Sequence, residues 1–95
     1  MTTILAVHHP VAEFDKWKLV FDEHQANRES HHAVGHLVMT SHDDPNAVLI
    51  LSEWTTRGDA EAFVADPSLA EAMQRAGVSE PPRIEFYDLA ERITY

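Results

Sequence analysis

The residues best suited to chemistry in this chain are His24 and Arg28, four positions apart near the end of a predicted helix. The helix spans Glu13–Glu29, and its apolar residues recur at steps of three and four, so they share one face. In order, that face carries Phe14, Trp17, Phe21, His24 and Arg28. An imidazole and a guanidinium that follow an aromatic stripe can orient an anion or transfer a proton at one end of a pocket. A favourable position near the helix carboxyl end explains the same pair without function, and both interpretations stay open.

Two adjacent histidines close the first predicted strand, Thr3–His9. Successive side chains of a strand point to opposite faces of its sheet, so one of His8 and His9 faces the helices and the other faces away. A strand histidine is often only a packed core residue, and that interpretation stays open beside a functional one. We name His8 as the candidate for catalysis.

A cross-strand pair supplies a further candidate. The segment Asp43–Asn46 predicts a tight turn, because Asp and Asn side chains bond to nearby backbone and Pro45 presets a turn conformation. This turn would place His36 opposite Glu53 on the neighbouring strand. A carboxylate orients an imidazole and raises its basicity, so the pair is either an acid–base couple or a structural ion pair.

The same register sorts strand residues between the two sides of the sheet. His36 would look towards a second copy of the sheet, and a more apolar set would meet the helices: Leu37, Met39, Val48, Ile50 and Trp54. A mostly apolar pocket between the helices and the sheet would then bind substrate through Trp17, Phe21, Trp54, Phe63 and Met73.

Seven histidines also raise the question of a metal, since neutral imidazole suits Zn, Cu, Ni and Fe. The spacing gives little support, because the sequence has no HExxH motif, no helical pair of histidines four apart and no Cys. A divalent metal held by His24, His36 and a third group is the second hypothesis. A non-catalytic binding module is the third, and no cofactor is predicted.

Four strands and two helices are predicted to position these groups. The other strands are Val34–His42, Ala47–Trp54 and Arg83–Ala90, and the second helix starts at Gly58, breaks at Asp66-Pro67 and stops at Gly77. The order β-α-β-β-α-β predicts a single α+β domain over residues 1–95 with the ferredoxin-like fold, a four-stranded antiparallel sheet with both helices on one face. A second copy is the simplest cover for the other face, so we expect a homodimer.

Composition excludes several classes of function. A formal net charge of -9 argues against nucleic-acid binding, which needs a cationic surface. No segment approaches the roughly 20 apolar residues of a membrane span, and the first residues do not form a secretion signal. The absence of Cys rules out disulfides and thiol chemistry and fits a reducing cytoplasm. We therefore expect a cytoplasmic protein with no membrane partner.

Six segments carry a resemblance to a known group: HHPVAEFDKW, FDEHQANR, DDPN, LSEW, DPSLAEAMQRAGV and PPRIEFYDL. Together they resemble the dimeric α/β-barrel superfamily, and within it the small antibiotic-biosynthesis-monooxygenase-like proteins. The resemblance implies a homodimer, a small aromatic or polyketide-like ligand, and oxygenation or cyclisation without a cofactor.

Haem-degrading members of that group use an Asn in the first strand and a Trp and a His in the second helix. The corresponding positions here carry Phe63 and Met73 in the helix and His8 or its neighbour in the strand. All three differ, so the resemblance does not extend to haem degradation.

Overall fold

The fold comes from a computed structural model, which describes residues 2–95. Its elements are β1 (Thr3–Pro10), α1 (Phe14–Glu23), α2 (Gln25–Ser30), β2 (Ala33–Thr40), β3 (Ala47–Trp54), α3 (Arg57–Ala65), α4 (Pro67–Arg75) and β4 (Arg83–Asp88). The strands form one antiparallel sheet in the order β2-β3-β1-β4. The predicted ferredoxin-like α+β fold is confirmed. Within residues 2–95, no helix has the length and apolar character needed to cross a membrane.

The second helix breaks where the sequence predicts. The Asp66 carboxylate accepts a hydrogen bond of 2.9 Å from the backbone N–H of Ser68 and so caps α4, while Pro67 occupies the first turn. Gly77 ends the segment with a φ of +79°, a conformation that glycine adopts without strain. The N–H of Val78 then donates to the carbonyl of Met73 over 3.1 Å, which satisfies one of the last helical acceptors.

The first helix is divided, although the sequence predicts it as continuous over Glu13–Glu29. A turn at His24, with φ -84° and ψ 0°, separates α1 from α2. The carbonyl of His24 accepts from the N–H groups of both Asn27 and Arg28, at 3.1 and 3.3 Å. The inward stripe survives this turn, because Trp17 in α1 and Arg28 in α2 are both buried.

The hairpin between β2 and β3 differs from its prediction by one residue. The N–H of Ser41 donates to the carbonyl of Ala47 over 2.9 Å, so residues 42–46 form a five-residue loop. One extra loop residue shifts the pairing, and a shift of one residue turns every side chain of a strand to the opposite face. His36 therefore lies opposite Ser52, and the predicted pairing of His36 with Glu53 is wrong.

The shifted register also reverses the predicted sides of β2. Leu37 and Met39 lie opposite Leu51 and Leu49, on the side away from the helices, so their predicted helix contacts are wrong. His36 faces the helices and not a second sheet, with its ring centroid 4.9 Å from that of Phe21 in an edge-to-face arrangement.

The two faces of the sheet have different surroundings. The face under the helices forms the core with Leu5, Val7, Val48, Ile50 and Trp54. The opposite side, called the open face below, carries Ile4, Ala6, His8, Leu37, Met39, Leu49, Leu51, Glu53, Glu85 and Tyr87. Leu37 there remains 63% exposed, which is unusual for a large apolar side chain at the middle of a strand.

Candidate functional site

A cavity lies between the helices and the covered face of the sheet. Apolar side chains from β1, β3, α1, α3 and α4 make up most of its wall, and its polar members are His9, His24, Arg28 and Ser52. Its interior measures about 60 Å³, and the space reaches about 540 Å³ when its mouth is included. An interior apolar cavity needs roughly 150 Å³ to hold benzene, so a ligand ring would have to widen the interior or lie partly in the mouth.

Aromatic rings and one methionine shape the cavity. Trp17 stacks on Phe21 with ring centroids 4.9 Å apart, and both line the space with Phe63 and Met73. Trp54 occupies a different place from the one expected. Its side chain is fully buried beneath Phe63, with ring centroids 4.8 Å apart, and it supports the wall from behind.

Ser52 is already engaged by its neighbours. The indole Nε1 of Trp54 donates to its hydroxyl over 2.8 Å, and the hydroxyl lies 3.5 Å from the carbonyl of Leu5. The hydroxyl's hydrogen-bonding capacity is therefore largely used within the core.

His9 is the buried imidazole of the cavity. It is only 5% exposed, and neither ring nitrogen has a hydrogen-bond partner within residues 2–95. Its ring meets Trp17 edge-on at a centroid distance of 5.7 Å. Burial lowers the pKa of His9 to about 4, so the ring is neutral at physiological pH. The predicted catalytic candidate of this strand is His8, but His9 lies in the cavity, because the helices cover the side of β1 that carries Leu5, Val7 and His9.

His8 and Glu53 both lie on the open face, away from the cavity. Arg83 Nη2 lies 3.2 Å from Nε2 of His8, and Glu85 Oε1 lies 3.7 Å from the same nitrogen. Glu53 forms an ion pair with Arg92. These groups satisfy one another at the surface, so they belong to a different part of the molecule from His9.

Arg28 is the buried cation of the cavity. Its Cζ lies 3.8 Å from the centroid of the Phe21 ring, within the range of a cation–π contact. Its Nη2 has no hydrogen-bond partner in the described chain, residues 2–95. Burial lowers the pKa of Arg28 to about 10 against the opposing attraction of Asp22 and Glu29, and the guanidinium stays charged at neutral pH.

Two imidazoles flank Arg28. Nε2 of His24 lies 3.2 Å from Oγ of Ser68, and His36 stands against the same Phe21 ring that carries the guanidinium. The pKa of each histidine is lowered, first by burial and next by repulsion from Arg28. Both rings therefore favour the neutral form and retain a nitrogen that can accept a proton.

A polar network holds this end of the cavity in place. Asp66 accepts a hydrogen bond of 3.1 Å from Nδ2 of Asn27, and Nε2 of His31 lies 2.9 Å from the same carboxylate oxygen. Hydrogen bonds from His31, and next from the Ser68 backbone, hold the pKa of Asp66 well below its ordinary value. The network ties α2 to the start of α4 and so fixes the mouth near His24.

The metal hypothesis gains no support from the geometry. Over residues 2–95, no three His, Asp or Glu side chains form a group that could hold a metal ion. His24 and His36, the two predicted ligands, lack a third ligand there. The polar atoms of the cavity are instead suited to hydrogen bonding and charge stabilisation of an organic molecule.

Comparison with known proteins matches this fold to solved structures. SnoaB from Streptomyces nogalater, a cofactor-independent oxygenase, superposes with a TM-score of 0.76 at 13% identity, over 99% of this chain and 97% of that one. An antibiotic-biosynthesis-monooxygenase-like protein from Bordetella bronchiseptica superposes with a TM-score of 0.79 at 11% identity, over 95% of this chain and 98% of that one. A similar protein from Deinococcus radiodurans superposes with a TM-score of 0.67 at 20% identity, over 100% of this chain and 98% of that one.

No family model and no curated protein matches the chain. At identities of 11 to 20% the structural likeness establishes the fold and leaves the chemistry to the site itself. The chain has the ferredoxin-like fold of the antibiotic-biosynthesis-monooxygenase-like structures.

Proposed function

We propose that this protein binds a small aromatic or polyketide-like molecule in the cavity and oxygenates it without a cofactor. The observation that carries the proposal is an apolar cavity in which two buried polar side chains, His9 and Arg28, have nitrogens without partners in residues 2–95. Buried polar groups are normally satisfied, so such atoms point to a ligand that supplies the missing partners. The shared fold with a cofactor-independent oxygenase supports the same reaction class.

The shape of the site favours a flat ring. Trp17 and Phe63 offer aromatic surface, and offset or edge contacts between such rings contribute about 0.5–1.5 kcal/mol each beyond burial. Met73 on α4 is only partly buried and has a flexible side chain, so its movement can join the interior to the mouth. Such movement would enlarge the interior of about 60 Å³ towards the size that a ring needs.

Oxygenation without a cofactor requires the substrate itself to supply electrons to O₂. A methylene group between aromatic rings meets this need once it loses a proton to form an electron-rich anion. The overall reaction R₂CH₂ + O₂ → R₂C=O + H₂O balances, because the carbon loses four electrons and O₂ gains them. The enclosed apolar wall keeps water away from the anion.

The histidines divide the proton work in this proposal. His24 accepts the substrate proton, since its half-buried ring lies at the cavity and bonds to Ser68 at the mouth. With a pKa of about 4, His9 is a weak base, so its neutral ring serves instead as a hydrogen-bonding partner that orients the substrate.

Oxygen uptake with anthrone, whose conversion to anthraquinone follows this equation, tests the proposal. We expect the protein to accelerate uptake with one O₂ per quinone, before and after treatment with a chelator. His24→Ala and His9→Phe should each lower the rate by at least about tenfold, as expected for loss of proton transfer or orientation. His8→Phe on the open face is the matched control and should keep the rate.

Three results would count against oxygenation. A rate equal to that of protein-free buffer, together with tight anthrone binding, would identify a non-catalytic binding module. Activity lost on chelation and restored by a divalent ion would favour the metal hypothesis. An unchanged rate in His24→Ala would remove that residue from the mechanism.

We infer, in addition, that two copies of the chain associate through their open faces. The apolar middle of that face, with Ile4, Leu37 and Leu51, resembles an interface more than a solvated surface. A chain of 10.7 kDa also gains stability by covering it. Sedimentation equilibrium should give twice the mass of the chain, and a monomer at micromolar concentration would overturn this inference.

A further inference from the structure

Arg28 lies at the boundary between two spaces. It lines the interior cavity, and it also lines a separate surface cleft of about 180 Å³ between α2 and β2. The cleft is otherwise formed by Gln25, Glu29 and the first half of β2, with His36 at its edge. The guanidinium therefore stands between the interior of the protein and a solvent-exposed cleft.

The charge of Arg28 is not balanced by any direct partner. None of the ion pairs formed within residues 2–95 includes it, and its Nη2 is sealed from water without a hydrogen bond. Burial of an unpaired charge destabilises a fold, and an apolar side chain of similar length would pack there at lower cost. A costly side chain next to a cavity is typical of a binding site, where stability is given up for function.

We propose that Arg28 binds an anionic oxygen of the ligand, so that the substrates of this site are aromatic acids or phenolates. The proposal rests on the proposed function, since it concerns the same cavity, and it adds the charge and orientation of the substrate. The ring lies among Trp17, Phe21 and Phe63, and the anionic oxygen supplies the partner that the buried Nη2 of Arg28 lacks.

The other charged groups near this position do not replace the ligand. Glu29 lines the cleft, but it forms no ion pair with Arg28 among the described residues, and Asp22 is held by Lys18 at 2.6 Å. His24 and His36 add no positive charge there, because the pKa of each is lowered and both favour the neutral form next to a cation. The guanidinium is thus the one strong anion-binding group that lines the cavity in residues 2–95.

Calorimetric titration with matched probes tests the proposal. 1-Naphthoate and 1-naphthamide share one ring system and differ in charge, and 4-nitrophenolate and 4-nitroanisole form a second pair for the phenolate. We expect at least one anion to bind about tenfold or more tightly than its neutral partner. The pair with the larger ratio identifies a carboxylate or a phenolate as the recognised group.

Arg28→Met should reduce that ratio to about one, and Arg28→Lys should retain part of it, because Lys offers a charge without the planar fork. Arg75→Met is the control, since Arg75 is an exposed arginine on α4 and pairs only loosely with Glu23 at 3.9 Å. It removes the same charge and should keep the full ratio.

Thermal melting separates binding from structure. If Arg28 serves a ligand, Arg28→Met should melt at or above the temperature of the unmodified protein. A lower melting temperature would indicate a structural role and overturn the proposal. Equal binding of anionic and neutral probes, a ratio kept by Arg28→Met, or no binding of either anion would overturn it as well.

Failure of this proposal is distinct from failure of the proposed function. An Arg28-dependent anion preference without oxygen uptake would leave the anion site intact and refute oxygenation. Oxygen uptake with anthrone but no anion preference would refute the anion site alone.

Discussion

The two faces of the sheet handle polar groups in opposite ways. On the open face, His8 lies within reach of Arg83 and Glu85, and Glu53 pairs with Arg92, so the charged groups there satisfy one another. Beneath the helices, His9 and Arg28 keep nitrogens without partners inside residues 2–95, although both side chains are only 5% exposed.

This difference separates two roles. On the open face the charged groups pair with one another, whereas Leu37 and its apolar neighbours remain uncovered. On the covered face the apolar side chains are packed, whereas polar nitrogens lack hydrogen-bond partners within residues 2–95. The first condition calls for a flat apolar surface such as a second copy, and the second calls for a small polar-ended molecule.

The largest expected effect concerns the open face. Leu37→Glu would place two carboxylates in the interface of a dimer, where burial of each charge costs several kcal/mol, so association should weaken by on the order of 5 kcal/mol. Leu19→Glu is the matched control, because Leu19 is 66% exposed against 63% for Leu37 but lies on α1. Sedimentation should show a monomer for the first variant and a dimer for the second. Equal behaviour of the two would place the interface elsewhere.

The next prediction concerns the contribution of His9 to the pH dependence of stability. Its folded pKa of about 4 is below the ordinary 6.5, so the unfolded chain binds more protons between those values. The free energy of unfolding should therefore fall as pH is lowered from 6.5 to 4, by up to about 3 kcal/mol from this residue. His24 and His36 act in the same direction, since their pKa values are also lowered.

Urea unfolding across that pH range checks the assignment. His9→Phe should reduce the slope of stability against pH by close to one proton, and His8→Phe should leave it as it is. If the two variants had the same slope, His9 would not be the buried titrating group.

A smaller effect of opposite sign is expected at Arg28. Replacement of an unpaired buried charge by methionine should raise the free energy of unfolding by about 1–3 kcal/mol, since the desolvation cost disappears while the packing remains. Urea unfolding at neutral pH measures this change. A loss of stability would show that the guanidinium supports the fold.

The smallest effect belongs to the paired charges of the open face. Glu53→Gln removes the ion pair with Arg92, whose side chain is largely exposed, so stability should change by less than about 1 kcal/mol. A larger loss would mean that the C-terminal residues contribute to the fold through this contact. The same unfolding measurement at low and high salt would reveal any screening.

Periodicity in the sequence was enough to predict the fold and one wall of the cavity. The spacing of Trp17, Phe21 and Arg28 predicts a shared inward face, and all three line the cavity. The break at Asp66-Pro67 and the stop at Gly77 follow from backbone chemistry that local sequence encodes directly.

The remaining features depend on contacts that local sequence does not encode. The pairing of His36 depends on whether the hairpin loop has four or five residues, and the segment around Asp43–Asn46 suits either length. The choice between His8 and His9 depends on which side of β1 the helices cover. Trp54 is a residue type that often lines pockets, but Phe63 packs over it and separates it from the cavity.

The five-residue hairpin loop has a consequence for variation in this chain. Loss of a single residue between positions 42 and 46 would shift the pairing of β2 by one position, turning His36 away from the helices and Leu37 and Met39 towards them. Insertions and deletions at this exposed turn would therefore exchange the side chains of β2 that face the helices with those that face the open side of the sheet. Loop length would then act as a determinant of specificity that substitutions alone do not reveal.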